Sequence, residues 1–138
     1  MTDDKLINRV IKHEGLMLKP YKCPAGKLTI GVGRNLDDVG ITKDEALFLL
    51  ENDLDRCHQE CLKSFFWYGE MDNDRQGVIQ EMCFNLGINR LKSFKKMLLA
   101  CEMGNYELAA REMLSSLWAR QVGKRAETLA DIMKGKIK

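Results

Sequence analysis

Three side chains near the start of the sequence could do chemistry together. Glu14 stands where a helical run meets Gly15, Cys23 follows nine positions later on a Pro/Gly turn, and Thr29 begins the next apolar run. A carboxyl at the end of a helix, beside a hairpin, is placed to face the junction of two lobes. Partial loss of water there raises its pKa and lets it donate a proton near neutral pH. The bland alternative is a surface carboxylate that caps nothing and reacts with nothing. A free thiol titrates near ~8.5, so little thiolate exists at neutral pH, but that thiolate is a strong nucleophile. Lys22, its neighbour in sequence, is expected to lower the value. Thr29 is expected on the strand face opposite Leu28 and Ile30.

Other signals fail on spacing. Gly31-Val32-Gly33 lacks the third glycine of a dinucleotide fingerprint, and Gly26-Lys27-Leu28-Thr29 lacks the upstream glycine of a P-loop. Cys57, His58 and Cys61 hint at a metal, but His58 lies about 100° round the helix from Cys57. No second Cys/His pair completes a four-ligand set. Buried thiols on an apolar stripe are the better reading, so neither a metal nor a cofactor is expected. The basic residues of the last third, such as Arg111, Arg120, Lys124 and Lys134, alternate with acids and read as a solvated face.

The elements that must position the three reactive groups follow from periodicity. Thr2 reads as a helix cap with Asp3 and Asp4 in the first turn. Leu6, Ile7, Val10 and Ile11 recur at helical spacing up to about Glu14. Two alternating runs, Leu16–Tyr21 and Leu28–Gly33, flank Cys23-Pro24-Ala25-Gly26 and predict a β-hairpin. Thr42 with Glu45 fits a capping box. Behind it Ala46, Leu47, Leu50, Leu54, Cys57, Cys61, Leu62 and Phe65 make one long apolar stripe. Asp72 caps a helix carrying Val78, Ile79, Met82, Cys83 and Leu86 that stops at Gly87. Further helices are expected over 91–101, 105–114 and 124–133.

The fold class is thus α+β and predominantly α: a small hairpin lobe, about 14–40, and a helical bundle of 1–13 plus 41–138, joined by a long helix. At 138 residues this is one domain. With 45% hydrophobic and 30% charged residues, disorder is excluded. No apolar run reaches the ~18–20 residues of a membrane span. A net charge of +2 suits an anionic polymer but does not demand nucleic acid. Five cysteines, an odd number without disulfide spacing, read as reduced thiols. The acidic start resembles no signal peptide.

The block Glu14-Gly15-Leu16-x-Leu18-Lys19-x-Tyr21-Lys22, then Gly26, then Thr29-Ile30-Gly31-x-Gly33, resembles the active-site hairpin of phage-type lysozymes. The likeness continues in order through Ile41–Ala46, Phe84-Asn85-x-Gly87 with Phe94, and Trp118-x-x-Gln121 with Arg125-Ala126. It implies a lysozyme-like fold and hydrolysis of the β-1,4 bond between N-acetylmuramic acid and N-acetylglucosamine in peptidoglycan. It makes Glu14 the general acid and Thr29 the threonine that holds the attacking water. Cys23 takes the nucleophile/base position, where the family usually has Asp. Phe84, Asn85 and Arg125 become substrate contacts, Arg125 facing the general acid. Arg34 and Asp53 become a structural ion pair. Met97 and Glu112 replace small polar groups, which weakens contacts there.

The resemblance further implies a monomeric endolysin that acts on peptidoglycan, without nucleic acid or membrane insertion. It would be held in the host cytoplasm until holin-type release. Because glycosidases normally use two carboxylates, a catalytically impaired peptidoglycan-binding protein on the same fold is the alternative. An unrelated helical interaction module would leave the collinear blocks unexplained.

Overall fold

The computed structural model describes residues 3–136. Helix α1 (Asp4–Glu14) is followed by strands β1 (Met17–Lys22), β2 (Leu28–Gly31) and β3 (Arg34–Asn35). Helices α2 (Lys43–Ser64), α3 (Asn73–Leu86), α4 (Ile88–Lys92), α5 (Lys95–Glu102), α6 (Tyr106–Leu114), α7 (Leu117–Val122) and α8 (Lys124–Lys134) complete the chain. A short 3₁₀ turn, Tyr68–Glu70, connects α2 to α3. The expected α+β class, mostly helical with a small antiparallel sheet, is what forms.

Two compact units divide the chain, one running up to Phe48 and the other from Leu49 onward. The first unit holds α1, the sheet and the start of α2.

In the first unit Asp3 caps α1, accepting from the Lys5 N–H at 3.2 Å. Thr2, the expected cap, lies outside the described residues. The sheet is an antiparallel meander in the order β1-β2-β3. Tyr21 faces Thr29 and Lys22 faces Leu28, with a register irregularity before Met17↔Gly31. The two-residue β3, opposite Thr29 and Ile30, was too short to show a period in the sequence. Among the described residues before Cys57, Thr29 is the one that is buried, so polar contacts rather than an apolar core hold this unit. The Leu28 N–H donates to Asp37 Oδ2 at 2.7 Å. The capping box forms as expected: Glu45 N–H donates to Thr42 Oγ1 at 3.1 Å, and Thr42 N–H to Glu45 Oε1 at 2.8 Å.

The second unit has an apolar core. Cys57, Cys61, Phe65, Tyr68, Val78, Ile79, Met82, Leu91, Met97, Met113, Trp118 and Leu129 are all buried within it. Helix α2 carries its stripe unequally: Ala46, Leu47 and Leu50 are exposed, and full burial begins at Cys57. Asp72 caps α3 as expected, accepting from the Arg75 N–H. The run expected as one helix over 91–101 is broken at Ser93-Phe94 into α4 and α5, because the Ser93 hydroxyl and N–H both turn back to Arg90 O. Helix α7 was not anticipated. Its cap is Ser116, whose hydroxyl accepts from the Ala119 N–H at 3.1 Å.

Burial in this core carries a pH consequence. Loss of water around Cys101 pushes its thiol up to about 12, a rise that nearby Arg75 only partly offsets. A raised thiol pKa favours the folded state fully below the unfolded value and loses that contribution as pH rises toward the folded value. Stability is expected to fall above pH ~9, by about 1–2 kcal/mol at pH ~10 from this group. Urea unfolding of Cys101→Ala across that range should show a flatter alkaline decline than the unsubstituted chain. An equal decline would remove Cys101 as its source.

Candidate active site

Glu14 ends α1 because Gly15, at φ +81°, leaves the helix while its N–H still closes onto Ile11 O. The carboxyl is exposed, not partly desolvated as its position had suggested. It lies against the backbone of Gly33. A Cβ added at Gly33 would sit 2.8 Å from Glu14 Oε1 and 3.2 Å from its carboxyl carbon, so the carboxyl would have to move aside. Gly33, at φ +69°, thus leaves the space in which the carboxyl rests. Nothing in the sequence pairs positions 14 and 33, so this contact was not foreseen.

Cys23 sits on a tight turn in which Gly26 N–H donates to Cys23 O at 2.8 Å and Cys23 N–H donates to Lys27 O at 2.9 Å. Its thiol pKa is held below the ordinary value. The Lys27 backbone N–H is the largest cause; partial burial opposes it, and the Ala25 N–H and Thr29 hydroxyl add to it. Turn amides therefore do what Lys22 was expected to do. They can because a sulfur enclosed by a turn meets N–H donors at closer range than a flexible ammonium group.

Thr29 is buried, while Leu28, on the opposite face as expected, is exposed. A threonine can be buried here because its hydroxyl donates to Lys27 O at 2.9 Å, leaving no unpaired polar atom. Cys23, Lys27 and Thr29 thus form one locally bonded turn.

Arg34 and Asp53 do not form the expected pair. Arg34 is bidentate to Glu45, Nη1–Oε1 2.8 Å and Nη2–Oε2 2.6 Å, and also donates to Gly40 O. This holds the Glu45 carboxyl down at about 2, helped by the Thr42 N–H. Asp53 instead accepts from Arg56, one turn along the same helix, at 2.8 Å. Glu45 already points back toward the chain before α2 as part of the capping box, so it meets the guanidinium first.

The second unit holds the expected substrate contacts. Phe84 and Arg125 share one cavity of about 380 Å³ with Leu50, Leu54, Gln80 and Glu81. Arg125 Nε donates to Glu81 Oε2 at 2.9 Å, so the guanidinium is oriented by a carboxylate that sequence reasoning missed. Asn85 is exposed; its Oδ1 accepts from the Trp118 indole N–H at 2.8 Å, leaving its amide N–H groups free to donate. Trp118 in turn borders a larger cavity of about 560 Å³, with Phe94, Met97 and Glu112 on its walls. The larger cavity contains none of the three expected contacts, though it adjoins Asn85 through Trp118.

The model of the phage lysozyme family matches residues 11–132, nearly the whole chain. The chain belongs to the phage lysozyme family. It is 30% identical to the SAR-endolysin of Haemophilus phage HP1 over 93 residues, 65% of this chain and half of that protein. It is 28% identical over 88% of its length to the pre-baseplate central spike protein of Enterobacteria phage T4, covering 26% of that protein. It is 27% identical to a probable T4-type lysozyme of Dictyostelium discoideum, with 92% of both chains covered. The chain thus spans about half the SAR-endolysin and about a quarter of the spike protein. Its hairpin region carries a carboxyl at Glu14 and a thiol at Cys23. No helix among the described residues is long and apolar enough to cross a membrane.

Proposed function

We propose that this chain is a peptidoglycan hydrolase of the endolysin type, cleaving the β-1,4 bond between N-acetylmuramic acid and N-acetylglucosamine. Glu14 protonates the glycosidic oxygen as general acid. Cys23, as thiolate, occupies the nucleophile/base position. The Thr29 hydroxyl, anchored beside Lys27 O, helps orient the attacking water. Phe84, Asn85 and Arg125 contact the sugars, the first by apolar stacking and the others by donated hydrogen bonds. In a phage setting the chain acts as a monomer on peptidoglycan after holin-type release from the host cytoplasm.

The observation that carries this reading is the Glu14 carboxyl lodged beside Gly33 in the same compact unit as the Cys23–Gly26 turn. A glycosidase needs a second anionic group beside its acid, and a stabilised thiolate supplies one. A catalytically impaired peptidoglycan binder remains the second reading, favoured by the lack of a carboxylate at position 23.

Release of reducing ends from purified peptidoglycan separates the two. The rate of the unsubstituted chain is expected to rise with pH as Cys23 ionises, at a lower pH than an ordinary thiol would give. Cys23→Ala should lose about tenfold or more and lose that rise. Cys23→Asp should be active and reach its plateau at lower pH, because a carboxylate ionises near ~4. Co-sedimentation with peptidoglycan without any release of reducing ends, restored by Cys23→Asp, would establish the impaired binder instead.

A further inference from the structure

The fold gathers a second set of thiols away from Glu14. Cys57 and Cys61 lie one turn apart on α2, and Cys83 comes from α3. The ligand atoms of Cys57, Glu60 and Cys83 all lie within 4.8 Å of one another, with Cys83 Sγ 3.8 Å from Glu60 Oε1. All three thiols are buried, Cys61 completely, whereas Glu60 is partly exposed and marks a route to solvent. The two helices are tied beside the cluster by Gln80 Nε2, which donates to Leu54 O at 2.8 Å.

The sequence argument against a metal counted only ligands close together in the chain. It missed Cys83, which is 22 positions beyond Cys61. His58, the residue that first suggested a metal, is engaged elsewhere, its Nδ1 2.7 Å from the Tyr68 hydroxyl.

We propose that Cys57, Glu60 and Cys83 form a binding site for a thiophilic d¹⁰ cation of the zinc class. Two sulfurs and one carboxylate oxygen are a three-ligand set of the kind Zn²⁺ takes with its fourth tetrahedral position left to water. With metal–sulfur bonds of about 2.3 Å, tetrahedral ligands stand about 3.8 Å apart. Bringing atoms already within 4.8 Å to that spacing requires side-chain shifts of an ångström or less, on two helices that are already fixed. Soft thiolates favour zinc-class ions over Mg²⁺ or Ca²⁺. Each ligating thiol gives its proton to solvent and a lone pair to the metal, with no change of oxidation state. The site lies outside the residues assigned to peptidoglycan chemistry and does not depend on that assignment.

Cd²⁺ titration of the full reduced chain tests this through the ultraviolet thiolate-to-metal charge-transfer band. One equivalent of Cd²⁺ is expected to develop the band, and Zn²⁺ to displace it. Cys83→Ala should weaken binding at least tenfold and reduce the band. Glu60→Gln, a substitution at the partly exposed edge that leaves every thiol in place, should weaken binding several-fold while keeping the band. Cys101→Ser, buried elsewhere, should bind as the unsubstituted chain does. Circular dichroism establishes that each variant is folded; if Cys83→Ala is not, the Glu60→Gln result alone decides. A missing band in the unsubstituted chain overturns the proposal. So does an unchanged affinity in folded Cys83→Ala or in Glu60→Gln, or a band removed by Cys23→Ser.

Discussion

Glu14→Gln is expected to reduce release of reducing ends from peptidoglycan by about 10²–10⁴-fold, the range that a positioned general acid contributes. The amide is close in shape to the carboxyl, so it can occupy the same space beside Gly33 without new strain. Glu14 is exposed and ends a helix that buries none of its residues. Stability should therefore stay within about 0.5 kcal/mol of the unsubstituted chain, as for most surface changes. Co-sedimentation with peptidoglycan should persist, since Phe84, Asn85 and Arg125 belong to the other compact unit. A large loss of rate with intact folding and binding is the pattern of an interaction made only in the transition state. If the amide variant clears peptidoglycan as fast as the unsubstituted chain, Glu14 is not the acid. If neither protein releases reducing ends but both co-sediment, the impaired-binder reading holds.

What the chain made legible in advance depended on how local each signal was. The Thr42/Glu45 capping box, the Asp72 cap of α3 and the turn at Cys23–Gly26 are set by residues within a few positions of one another, and each appears where expected. The errors share a different cause. Arg34 was paired with Asp53 through family resemblance, whereas Glu45 is already aimed at the preceding loop by its own cap. Asp53, left without Arg34, takes the cation one turn along its helix. The Cys83 thiol beside Cys57, and the Glu14 carboxyl beside Gly33, are contacts between distant positions that leave no periodic trace. Both are decided by how elements pack. The same limit explains why the residues of the hairpin could be chosen from the sequence while their electrostatics could not. The lowered pKa of Cys23 comes from backbone N–H groups, which every residue but proline carries and no residue type announces.

Gly33→Ala is expected to cost at least about 10²-fold in turnover, because misplacing a reacting group by ~1 Å can cost that much. Two effects act at this position and must be separated. The first is backbone strain: φ is +69°, a region that costs an L-residue about 1–2 kcal/mol. The second is displacement, since the new methyl would lie 2.8 Å from Glu14 Oε1 and the carboxyl, the flexible end of a side chain, must move. Gly31 isolates the first effect. It has nearly the same φ, +72°, but a Cβ there meets nothing within 4 Å. Gly31→Ala and Gly33→Ala should therefore lose similar stability in urea unfolding, about 1–2 kcal/mol each. Only Gly33→Ala should lose kcat, with KM for soluble peptidoglycan fragments little changed, because the moved group is assigned to proton transfer and not to sugar binding. Equal loss of kcat in both variants would make the effect one of sheet strain. Full activity in folded Gly33→Ala would show that the carboxyl does not need the place it occupies beside this glycine.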